Sequence, residues 1–307
     1  MITNVTPQSA LFLANLDRVQ ESIATANNQV SSGLKITQAS DAPDQISTLL
    51  QLRANLQRNT QIQSNLNMAQ TDANSADNAI SASIQLMDTA VSLATQAATA
   101  TTDAAGRADI AQQIQSIQQQ MVSNSQTNVQ GRYIFSGDQD GSPQYTWDPT
   151  AANPVVAGTQ SASTRLIEDP AGGSFPASLT AQQIFDDQDP TTGAPATDNV
   201  FNALNTLQQA LTSNNTAGIT NSVTLLQAAS THLNASESFY GNLQDTIQNA
   251  NTYASQYNVQ LQTQISDIQD ADITSAALEL TQGNTQLQAA MQMQGQMPHS
   301  SLFNYLG

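Results

Sequence analysis

Every seventh residue from Leu226 is apolar: Leu226, Leu233, Tyr240, Ile247, Ala254, Leu261 and Ile268. An α-helix turns once in about 3.6 residues, so side chains seven apart nearly superimpose and form a column along one face. A column this long predicts a long helix, and it can be buried only against other helices running alongside. The interleaved positions Val223, Ser230, Glu237, Gln244, Asn251, Asn258 and Ile265 are largely polar, which predicts a thin seam. A helix so weakly amphipathic is marginal alone in water. What covers the column is therefore the main question for the rest of the chain.

A clean heptad seam near the N-terminus is one candidate. It runs Phe12, Leu16, Val19, Ile23, Ala26, Val30 and stops at Ser31-Ser32-Gly33, where glycine is suited to ending a helix in the left-handed conformation. The stretch Ser40-Asp41-Ala42-Pro43-Asp44 supplies capping side chains and a first-turn proline for a second helix. That helix carries a stripe from Ile46 through Leu66 and Ala76 to Ala94, with a break expected at Asp103 and Gly106 before a shorter helix to about Val129. Seven of the ten prolines and seven of the fourteen glycines then fall between Gly131 and Pro195. That density excludes long helices and predicts a small β-rich insert, with strands at 132–136, 144–147 and 163–168. Phe201, Leu204, Leu207 and Leu211 outline a short helix, and a long one is expected from Ile219 to about Met297, broken near Gly283.

The fold expected is mostly α, an elongated rod of long antiparallel helices formed by both chain ends, with a β-rich outer domain inserted in the middle. The domains read as 1–43, an assembly helix and loop; 44–130, the N-terminal part of the rod; 131–198, the insert; 199–260, the C-terminal part of the rod; and 261–307, an assembly helix and tail. Composition agrees: aromatic residues are 5% and charged residues 10% of the chain, so the core must be aliphatic and alanine-rich, and the surface polar without being ionic.

The net charge is −17, and every Lys and Arg lies at or before Arg165. Nucleic acid and anionic membranes are therefore not expected as partners, since both are held mainly by Lys and Arg. The same asymmetry suggests Arg18, Arg53 and Arg58 facing Asp245, Asp267 or Asp270. Cysteine is absent, which removes disulfides and thiolate chemistry. No apolar run approaches the length that spans a bilayer, and the N-terminus lacks the basic-then-apolar pattern of a cleaved signal.

No catalytic residues, metal ligands or cofactors are expected. The clusters Asp138-Gln139-Asp140-Gly141 and Asp186-Asp187-Gln188-Asp189 lack the spacing of a calcium loop and read as solvated turns. His232, next to Leu233, reads as a rim residue of the helix. The methionines Met291, Met293 and Met297 suit adaptable helix packing or a polymer contact. The chain end, with Leu302, Phe303, Tyr305 and Leu306, is unusually apolar. Such groups at an otherwise frayed terminus suggest burial against another subunit.

Five stretches carry a resemblance. Gln29-Val30-Ser31-Ser32-Gly33-Leu34-Lys35-Ile36 with Ser40-Asp41-Ala42-Pro43 resembles the N-terminal signature of the bacterial flagellin and hook-associated protein superfamily. Gly131-Arg132-Tyr133-Ile134-Phe135-Ser136-Gly137 is similar to the entry into the outer domain of its hook–filament junction branch. Asp270-Ala271-Asp272 with Leu278 and Leu280, and the ending Ser301-Leu302-Phe303-Asn304-Tyr305-Leu306, resemble the C-terminal segments of the same proteins. The resemblance implies a non-enzymatic structural protein of the extracellular flagellum, exported without a cleaved signal, that polymerises through its terminal helices as an adaptor at the hook–filament junction. It implies as partners other copies of itself in a ring, a neighbouring hook-associated protein on the hook side, flagellin on the filament side, and a flagellar export chaperone. The assembly residues expected are Phe12, Leu16, Val19, Ile23, Ala26, Val30, Leu261, Ile265, Ile268, Leu278, Leu287, Met291, Leu302, Phe303, Tyr305 and Leu306. A flagellin filament subunit, a cytoplasmic coiled-coil adaptor and a secreted enzyme or adhesin built on the insert are the alternatives.

Overall fold

The computed structural model describes residues 7–99, 101–151, 153–161 and 163–296. In chain order these are helices α1 (Pro7–Ser32), α2 (Ile46–Ala98) and α3 (Ala104–Ser125), six short strands, and then helices α4 (Ala181–Phe185), α5 (Val200–Thr212), α6 (Thr216–Gln269) and α7 (Ile273–Gln296). The chain forms two compact units: Asn59–Gln256, and the two chain ends through Arg58 and from Tyr257.

Within Asn59–Gln256, the column on α6 is buried at Leu226, Leu233, Tyr240, Ile247 and Ala254. Its seam is not thin. The second buried row lies three residues after members of the column, at Ala229, Ser236, Leu243 and Ala250, and continues back to Ser222, three after buried Ile219, whereas the interleaved residues from Val223 to Asn251 remain at the margin. Buried Ser222 and Ser236 satisfy their hydroxyls by donating to the carbonyls of Gly218 (2.9 Å) and His232 (3.1 Å). The facing stripe on α2 alternates in steps of four and three through Ile62, Leu66, Ala69, Ala73, Ala76, Ile80, Ser83, Met87, Ala90, Ala94 and Ala97. Side-chain hydrogen bonds join the two helices. The Nδ2 of Asn59 donates to the carbonyl of Ala254 at 2.7 Å, and that of Asn251 to Oδ1 of Asn67 at 3.3 Å. Helix α3 adds buried Ile110, Ile114, Ile117 and Met121 to the same core.

The expected break after α2 is present. Asp103 caps α3 by accepting from the Gly106 amide at 2.8 Å. Arg107, one turn into α3, is buried and closes this end of the unit. Its guanidinium donates to the carbonyls of Ala97 (3.0 Å) and Thr99 (3.4 Å) and to Oδ1 of Asn214 (2.6 Å). The first two acceptors lie at the C-terminal end of α2, where the helix dipole favours a cation. Asn214, in the left-handed region at φ +52°, makes the turn between α5 and α6.

The insert differs from expectation in detail. Helix α3 stops at Ser125 because residues 128–129 are a strand. The strands form three separate antiparallel hairpins: β1 (Asn128–Val129) with β2 (Arg132–Tyr133), β3 (Tyr145–Trp147) with β4 (Val155–Ala157), and β5 (Leu166–Glu168) with β6 (Ser174–Pro176). Hairpins this small are not stable alone, and aromatic packing anchors them. Phe135 sits edge-on to Phe185 (centroids 5.9 Å apart) and to Tyr240 (6.3 Å), while Phe201 contacts Tyr145 (5.0 Å) and Phe185 (5.7 Å). Tyr240, the one aromatic residue of the α6 column, also accepts from the Leu179 amide at 3.1 Å. Burial pushes its hydroxyl pKa up, as it does for Tyr145, where the Asp186 carboxylate adds to the effect.

Neither acidic cluster is simply a solvated turn. Asp140 lies 3.9 Å from both Arg132 and Arg165, and these arginines also hold buried Asp72 of α2, at 3.1 and 3.3 Å. Asp138 accepts from the Ser163 hydroxyl, and Asp186 from Tyr145 (2.9 Å) and Asn199 (2.7 Å). These carboxylates tie hairpins and linker to the helices.

Replacing Arg107 with alanine strips the end of α2 and Asn214 of their donor, and is expected to cost about 3 kcal/mol, the scale of losing buried charged hydrogen bonds. Urea unfolding of the two proteins measures the difference.

Candidate assembly surface

In the unit made by the chain ends, two backbone interruptions lie side by side. Helix α1 ends at Gly33, whose φ of +74° is the left-handed conformation glycine adopts without strain, and its amide bonds the Gln29 carbonyl at 2.9 Å. The following residues pair with the end of α6: the Lys35 amide donates to the Gln269 carbonyl (2.6 Å) and the Ala271 amide to the Gly33 carbonyl (2.9 Å). The C-terminal helix is therefore interrupted at Asp270–Asp272, where its main chain turns aside to bond Gly33, and not at Gly283 as expected. Asp272 restarts it as α7, accepting from the Ser275 hydroxyl (2.8 Å) and from the amides of Thr274 (2.9 Å) and Ser275 (3.2 Å).

On the N-terminal side, Asp41 accepts from the amides of Gln38 and Thr37, both at 2.8 Å. It closes the turn behind it and does not cap α2. These donors lower the pKa of Asp41, the Gln38 amide most; that of Asp272 is lowered chiefly by Ser275. Arg53 meets the side-chain oxygen of Gln269 at 2.8 Å where an aspartate was expected.

Helix α1 pairs with α7, not with the column on α6. The α7 seam is Ala276, Leu280, Gly283, Leu287 and Ala290, each at least half-buried. Gly283 is used for close approach: a Cβ there would lie 2.6 Å from Cγ1 of Ile23. Ser22 adds a 3.0 Å hydrogen bond to Glu279.

The residues expected to drive assembly thus divide into groups. Phe12, Leu16, Val19 and Ile23 are half-buried and Ala26 fully buried on α1, as is Leu287, half-buried, on α7. Leu261 is buried and Ile265 and Ile268 half-buried on the last turns of α6. Leu278 and Met291, by contrast, are 59% and 58% exposed, and Val30 lies out with them. Leu302, Phe303, Tyr305 and Leu306 fall outside the described residues. Sequence reasoning missed exposed Leu11, Leu13 and Ile273. They lie off the heptad seam, and the signal that could have found them is an apolar residue on a face the seam leaves to solvent. These exposed aliphatic side chains lie on both helices of the pair, α1 and α7. No helix among the described residues is long and apolar enough to cross a membrane.

Gly283→Val is expected to force α1 and α7 apart. Faster amide exchange across α1, with exchange in α3 and α5 unchanged, is the readout. The lowered pKa values predict a pH effect with a definite sign. The contribution of Asp272 is complete above its unfolded value of about 3.9 and is lost as the pH falls below it, through the folded value. Asp272→Asn keeps an oxygen for the cap and removes the titration, so amide exchange of α7 is expected to lose part of its acid dependence below about pH 4.

Residues 3–140 match the bacterial flagellin N-terminal helical region and residues 223–306 match its C-terminal helical region. No curated protein matches the sequence. Among solved structures, a flagellar hook-associated protein from Vibrio parahaemolyticus superposes with a TM-score of 0.63 at 17% identity, covering 75% of this chain and 100% of that one. FlgL of Xanthomonas campestris gives 0.54 at 17% identity over 69% and 99% of the two chains, and FlgL of Bacillus cereus 0.53 at 18% over 72% and 100%. At these identities the likeness is one of fold.

Proposed function

This chain belongs to the bacterial flagellin family, and on that premise we propose that it is a structural adaptor at the junction of hook and filament. As a member of that family it is a structural, self-assembling component of the flagellum. The finer reading is supported by the fold shared with hook-associated and FlgL proteins. The observation that carries it is the exposure of Leu278 and Met291 on a helix whose remaining seam is already occupied by α1. A monomer gains nothing from leaving such residues in water, whereas a neighbouring copy gains roughly 25 cal/mol per Å2 of apolar area it covers.

In this reading α1, the end of α6, α7 and the apolar chain end form the polymerising region. Copies of the chain close a ring, with a hook-associated protein on one side and flagellin on the other. A chaperone covers the terminal helices before export, which needs no cleaved signal.

The test replaces Leu278 and Met291 together with glutamate. The purified variant is expected to melt within a degree or so of the parent, since both side chains are in solvent, while cells that depend on it shed their filaments and keep bare hooks. Normal filaments in those cells would remove the surface from the account. Gold-labelled antibody against residues 131–198 separates the position: label confined to the hook–filament boundary supports the adaptor, and label along the filament makes the chain a filament subunit.

A further inference from the structure

A second constellation lies in the unit Asn59–Gln256, on residues that the assembly surface does not use. Asp187 follows α4, Asp198 precedes the Asn199 cap of α5, and His232 projects from α6. One ligand atom from each, two carboxylate oxygens and an imidazole nitrogen, lie within 4.8 Å of one another, and all three residues are half-buried.

The histidine is held from outside the group. Its Nε2 is 2.8 Å from the carbonyl oxygen of Gln183. A carbonyl only accepts, so Nε2 carries the hydrogen and donates it. In the neutral ring this leaves Nδ1 with its lone pair 3.3 Å from Oδ2 of Asp198. Two acceptors then face each other, with the Asp187 carboxylate close by. A cation between them turns that repulsion into attraction. A backbone carbonyl fixing the far nitrogen is also how metal-binding histidines are commonly oriented. The linker is fixed independently of the group: Asn199 donates to the Asp187 carbonyl at 2.8 Å and to Oδ1 of Asp186 at 2.7 Å.

We propose that Asp187, Asp198 and His232 form a binding site for a divalent transition-metal ion of the zinc class. One imidazole and two carboxylates suit such an ion, with water completing the shell. Calcium, which takes six to eight oxygen ligands, is a poor match to a site with a nitrogen donor. The two carboxylates balance the charge of the ion. Because the ligands come from two ends of the 187–198 linker and from α6, the bound metal is a clip that fastens the linker to the helix. It has no part in polymerisation, so this site can fail while the flagellar reading stands, and the reverse.

The test is titration calorimetry of chelator-stripped full-length protein with zinc chloride near neutral pH, alongside the visible absorption of the cobalt(II) form. One ion per chain is expected. Binding should weaken at least tenfold in both His232→Gln and Asp198→Asn, with the cobalt bands altered or lost, and should be unchanged in His299→Ala, which replaces the other of the chain's two histidines. Circular dichroism of each variant in chelator establishes that it is folded, and two independent ligand variants ensure that one poorly folded protein does not decide the result. No binding by the parent, equal binding in both folded ligand variants, or loss on removing His299 would overturn the proposal.

Discussion

The structure depends on small residues in the right rows. In the unit Asn59–Gln256, α2 and α6 meet along heptad seams in which alanine and buried serine alternate with leucine, isoleucine and methionine. Tight packing of these buried rows lets many weak dispersion contacts accumulate, which offsets the modest apolar area each alanine contributes. It also makes the seam intolerant of bulk, since extra methylenes in a packed interface cost about 1–3 kcal/mol. The rest of the unit follows from this geometry. Arg107 reaches two carbonyls at the end of α2 and Asn214 together, and Phe135, just after the first hairpin, packs on Tyr240, the one aromatic residue of the α6 column.

Much of this was legible in the residues. The column from Leu226 gave the helix and its buried face, and the proline-rich stretch marked the insert. The second row was misread because the polar residues three before each column member were weighed, whereas the row that packs lies three after, at Ala229, Leu243 and Ala250. Alanine is a weak sign of burial in a sequence, and buried Ser222 and Ser236 look polar until their hydroxyls are seen bonding their own helix. The C-terminal break was placed at Gly283, a natural breaker. It falls instead at Asp270–Asp272, where a main-chain partner more than two hundred residues away decides the matter, and no local pattern encodes such a partner.

The assembly residues show the same division. Heptad periodicity finds residues that face a helix, but it cannot say whether that helix belongs to the same chain. Phe12 to Ala26 proved to face α7, while Leu278 and Met291 stayed in solvent. The acidic clusters were underestimated for a related reason. An aspartate in a turn reads as solvated, and only the fold brings Arg132, Arg165 and Asp72 to Asp140, or His232 to Asp187 and Asp198.

The pairing of Gly33 and Lys35 with Gln269 and Ala271 has a mechanical consequence. The bonds join main-chain atoms, with Gly33 supplying the left-handed backbone they need, and they fix the register of α7 against α1 at this end. Both helices leave from one clamped level. A load applied along α1 is shared with α7 from its first turn, and the two strands of the chain bear it as a single tie rather than as two fibres free to slip.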